Sequence, residues 1–80
     1  MNDVEQVRSL VREISPLLAG KPQQVQGAVL ADLLSMWLAG HFEATNAAKT
    51  TILRNDVLDM HIDMVRKLIP ESAKQIGLPW

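Results

Sequence analysis

The chain contains no cysteine, so neither a disulfide staple nor a thiolate metal site can hold it together. It also lacks any run of basic residues. Arg8, Arg12, Lys21, Lys49, Arg54, Arg66, Lys67 and Lys74 are scattered, and eight basic against nine acidic residues leave a formal charge of −1. A nucleic-acid surface needs an electropositive footprint that displaces counterions from phosphate, and none is visible. The opening MNDVEQVRSL has neither the basic start nor the apolar centre of a secretory leader. The most apolar stretch, 28–40, contains Asp32 and falls short of the ~20 residues that cross a bilayer. A cytoplasmic location without membrane contact is therefore expected.

Chemical constellations are missing as well. There is no Ser/His/Asp grouping, no converging pair of carboxylates, no glycine-rich phosphate loop, and no HxxxH, HxxE or CxxC spacing. No catalytic residue, cofactor or metal ligand is assigned on these grounds. Strand patterns, internal repeats and low-complexity segments are likewise not seen.

What the chain does have is apolar surface. Hydrophobic residues make up 48% of its 80 positions and charged residues 21%. Eighty residues form one domain near the lower limit of what a single core can stabilise. Without disulfides or a thiolate metal site, tight helix packing and oligomerisation are the devices left.

Every periodic segment repeats at helical spacing. The first helix is expected over about 3–18, with Asn2 and Glu5 as a capping-box variant. Its stripe is Val4, Val7, Leu10, Val11, Ile14, Leu17 and Leu18, with Glu5, Arg8, Arg12 and Glu13 on the wet side. Pro16 bends its last turn, or else Ser15-Pro16 opens a separate turn ending at Gly20. The second helix is expected over about 22–39, with Pro22 at its start and Gly40 as its stop. Its apolar arc, including Val25, Val29, Leu30, Leu33, Leu34, Met36, Trp37 and Leu38, covers most of the circumference, which belongs in the middle of an assembly. Trp37 reads as the main core aromatic. Gly27, with Ala31 four residues on, reads as a notch for close approach of another helix.

The third helix is expected over about 46–69, capped by Asn46 or, with a later start, by Thr50-Thr51. A short turn at 70–76 follows Pro70, with Gly77 at a left-handed cap and Leu78 as its apolar companion. On this helix His61 sits at the centre of the apolar face, between Leu53, Val57, Met60, Met64 and Leu68 on one flank and Leu58, Ile62, Val65 and Ile69 on the other. Arg54 shares its bearing. A titratable ring and a guanidinium in an apolar stripe must find partners. Asp32, the only acid in the second helix, is the attractive carboxylate for Arg54. His41 is the only other imidazole, in a connecting loop.

The expected fold is all-α: a single domain over 1–80, with three helices up-down-up, a short C-terminal helical appendage, and dimeric packing. The expected function is a non-enzymatic interaction or regulatory module that self-associates. Its interface would draw on Leu34, Leu38, Leu58, Ile62, Val65 and Ile69, with Trp80 as a terminal anchor. A small-molecule or metal-binding domain, or an enzyme's accessory subunit, centred on His61 and Arg54 is the alternative. A helix-turn-helix nucleic-acid binder ranks third, against the scattered bases.

Overall fold

The computed structural model describes residues 2–79, of which 79% are helical, with three helices and no strand among them. The helices are α1 (Asp3–Leu18), α2 (Gln23–Ala39) and α3 (Ala47–Gln75). The chain forms two compact units, Met1–Leu33 and Leu34–Trp80, with the boundary inside α2. The expectation at Trp80 lies outside the described residues.

In the first unit, α1 starts where its cap predicts. The Asn2 side chain accepts from the Glu5 backbone N–H at 2.8 Å and donates to the Glu5 carboxylate at 3.4 Å. Asp3 and Glu5 in the first turn also suit the positive end of the helix dipole. Pro16 does not open a separate turn; it lies inside α1, which runs on to Leu18. The ring removes only one backbone bond, toward Arg12, so a helix with a single turn remaining tolerates it. Gly20 then adopts φ +78°, a left-handed geometry in which any other residue is strained. Gln26 closes the connection. Its side-chain amide donates to the carbonyls of Leu18 and Lys21, both at 2.9 Å.

In the second unit, α2 ends at Ala39 without a left-handed residue. Gly40 thus follows the last helical residue, as expected of a stop, but not with a left-handed backbone. Its use is closeness: a Cβ there would lie 3.3 Å from the Trp37 carbonyl oxygen. Asn46 caps α3 by accepting from the Lys49 N–H at 3.0 Å, so the later start at Thr50-Thr51 is not used. Thr50 instead ties down the loop. Its hydroxyl accepts from the Glu43 N–H at 2.9 Å and lies 3.1 Å from the Glu43 carbonyl.

The largest local departure from expectation is at Pro70. The helix does not break there, and 70–76 is not a separate turn: α3 continues through Pro70 to Gln75. Only the bond from position 70 to the Arg66 carbonyl is forfeited. Helical apolar spacing runs on across it, from Ile69 to Ala73 and Ile76. The end is a Schellman motif. Gly77 takes φ +76°, its N–H donates to Lys74 O at 3.1 Å, and the Leu78 N–H donates to Ala73 O at 2.9 Å.

No described residue is buried. This corrects one expectation: Trp37 is not an enclosed core aromatic but 49% exposed; His61 is half-buried. Leu34, Leu38, Leu58 and Ile69 are also only half-buried. A helix enclosed on all sides needs neighbours all round, and neither unit by itself supplies them. The notch at Gly27 is open too, with nothing within 4 Å of a Cβ placed there.

Candidate functional site

Three of the polar residues singled out in the sequence, His41, Arg54 and His61, come together near Trp37 in the second unit. His41 follows Trp37 by one helical turn, and its Nδ1 lies 3.0 Å from the Trp37 carbonyl oxygen. A carbonyl can only accept, so this nitrogen carries the proton and donates. The imidazole meets the indole edge-on, with centroids 4.9 Å apart and planes at 83°. His61 reaches the same indole from α3, at 5.1 Å and 51°. Both arrangements fall within the favourable range for ring pairs.

Arg54 completes the cluster. Its Nε donates to the His41 carbonyl at 3.0 Å and its terminal nitrogen to the Ala39 carbonyl at 2.7 Å. The last carbonyls of a helix have no partner within it and carry the negative end of its dipole. His41 and Arg54 therefore act together as the C-terminal cap of α2: one answers Trp37, the other answers Ala39 and the residue beyond Gly40. These two carbonyls give the guanidinium acceptors within its apolar stripe. Asp32, the expected partner, belongs to the first unit.

Two residues hold the connections: Gln26 was not singled out in the sequence, and Thr50 was read there only as part of an alternative cap. Gln26 is half-buried and bonded to carbonyls five and eight residues away. A glutamine at the start of a helix is too common to mark such a role. Among the described residues no group of three or more His, Cys, Asp or Glu is placed to hold a metal ion.

The other conspicuous surface is apolar. In the first unit, Val4, Val7, Leu10, Val11, Ile14 and Leu17 of α1 remain exposed, from 44% at Ile14 to 70% at Leu17. In the second, α3 carries a shallow groove of about 390 Å³ lined by Val65, Leu68, Ile69, Ser72, Ala73 and Ile76. Two expected interface residues, Val65 and Ile69, line it. Monomeric soluble proteins seldom leave contiguous apolar stripes of this extent open to water. Among the described residues no helix is long and apolar enough to cross a membrane.

Comparison with protein-family models, with curated proteins and with solved structures finds no match to this chain.

Proposed function

We propose that the chain is a non-enzymatic helical interaction module that works as a homodimer and, in that form, adapts, regulates or stabilises another protein. One observation carries this reading: no described residue is buried, while 22 large apolar residues stand exposed. Burial of apolar surface is the main force for folding, so a chain none of whose described residues is fully buried needs further cover to persist. A second copy is the cover present wherever the chain is made.

The polar cluster supports the same reading. His41 and Arg54 are engaged in capping α2, so Arg54 has acceptors without any ligand. Light scattering of the purified chain at micromolar concentration tests the proposal. The expected mass is twice the 8.9 kDa of one chain. A monomer persisting at high micromolar concentration overturns it.

A further inference from the structure

Resting on the self-association just proposed, we infer that α1 is a parallel dimer seam, paired in register with α1 of a second copy. Val4, Val7, Val11, Ile14 and Leu18 follow one another at alternating steps of three and four. That is the a/d pattern of a coiled-coil seam. Of these, Val4, Val7, Val11 and Ile14 are exposed in the first unit, as are Leu10 and Leu17 beside them. Only Leu18, next to the turn held by Gln26, is half-covered.

The charges flanking this seam select the partner and its direction. With Val4 at a, Asp3 falls at g and Arg8 at the following e. In a parallel pair, g of one helix faces the next e of the other, so Asp3 of each copy meets Arg8 of the other. Within one helix the two lie five positions apart, outside the three- and four-residue spacings that bring side chains together. The complementarity is therefore usable only between chains. An antiparallel register that sets Val4 opposite Ile14 instead brings Arg8 against Arg8 of the second copy. Like charges there disfavour that arrangement.

The seam is wider than a bare two-stranded coil requires. Val7 and Ile14 are β-branched at d, and Leu10 and Leu17 add an apolar g row, a combination that favours more than two helices. Two copies of the first unit provide them, because each brings the first part of α2 together with α1. At 16 residues α1 is also too short to associate stably alone.

The absence of cysteine makes the test direct. Val4→Cys, and separately Val11→Cys, are placed in the full chain and oxidised mildly. A parallel seam sets each new thiol against its own counterpart, and a covalent dimer is the expected product. In the antiparallel register the two Val4 positions are ten residues apart, about 15 Å along the axis, against the ~7 Å limit for a disulfide. Asp3→Arg and Arg8→Asp are each expected to weaken the dimer about fivefold, and together to recover most of that loss. A wild-type dimer whose Val4→Cys and Val11→Cys variants form no covalent dimer overturns the α1 seam and leaves self-association standing. Failure of the double charge reversal to recover affinity overturns the parallel register. A wild-type monomer overturns both readings.

Discussion

Arg54 is the side chain whose role changes most between sequence and structure. Placed in an apolar stripe, it demands acceptors, and a carboxylate is the usual answer. The acceptors it has are carbonyl oxygens at the end of α2, Ala39 O and His41 O. Because the fork is planar and both bonds leave from fixed positions on it, lysine is a poor substitute. Arg54→Met is expected to lower stability by about 1 kcal/mol, below the usual range for bonds from a charged donor because Arg54 is exposed. Arg54→Lys should recover less than half of that in urea denaturation. Equal stability of Arg54→Met and wild type would show that water serves these carbonyls as well. His61 was readable as an apolar-face imidazole from periodicity alone. That its neighbour is the Trp37 indole was not, because nothing in helical spacing relates positions on different helices.

At the scale of the element, most of the structure was legible. Caps and turns are local devices: Asn2, Asn46, Gly20 and Gly77 each act within a few residues of themselves. Residue type and position therefore suffice to place them. Prolines are less readable, since a penalty does not say whether the helix pays it. At Pro70 it does, and α3 continues. Pro70→Ala should restore the bond to the Arg66 carbonyl, partly offset by a freer unfolded chain. A net gain of about 1 kcal/mol is expected in thermal denaturation, and a loss would mean that Pro70 relieves a contact rather than interrupts one. Gly27→Ala makes a second such test. With nothing within 4 Å of the added carbon, higher helix propensity should stabilise the chain by about 1 kcal/mol. Loss of the dimer in that variant would instead place the second copy against Gly27.

For the whole molecule the decisive quantity is apolar surface left uncovered. A dimer that folds only as a dimer melts at a temperature that rises with concentration, by mass action. A clear rise in Tm over a hundredfold concentration range is expected, and a constant Tm would mean that each chain folds alone. On α3, Ile62 is 37% exposed and Leu58 half-buried, within the apolar face that the sequence offers as an interface. Ile62→Asp or Leu58→Asp should lower the mass seen by light scattering or abolish the helical signal in circular dichroism. A variant that keeps both the wild-type mass and helicity would remove this face from the interface.

The amino-acid sequence by itself determined the helices, their caps and the faces they offer, because backbone bonds and caps join residues three to five positions apart. The tertiary structure alone decided which distant groups meet. Arg54 reaches back 13 and 15 residues to close α2, and Gln26 reaches back eight to close α1. Periodicity records the direction in which a side chain leaves its own helix axis, whereas its acceptor is chosen by where the loops bring another segment. A carbonyl, moreover, is offered by every residue alike, so no residue type in the sequence marks it.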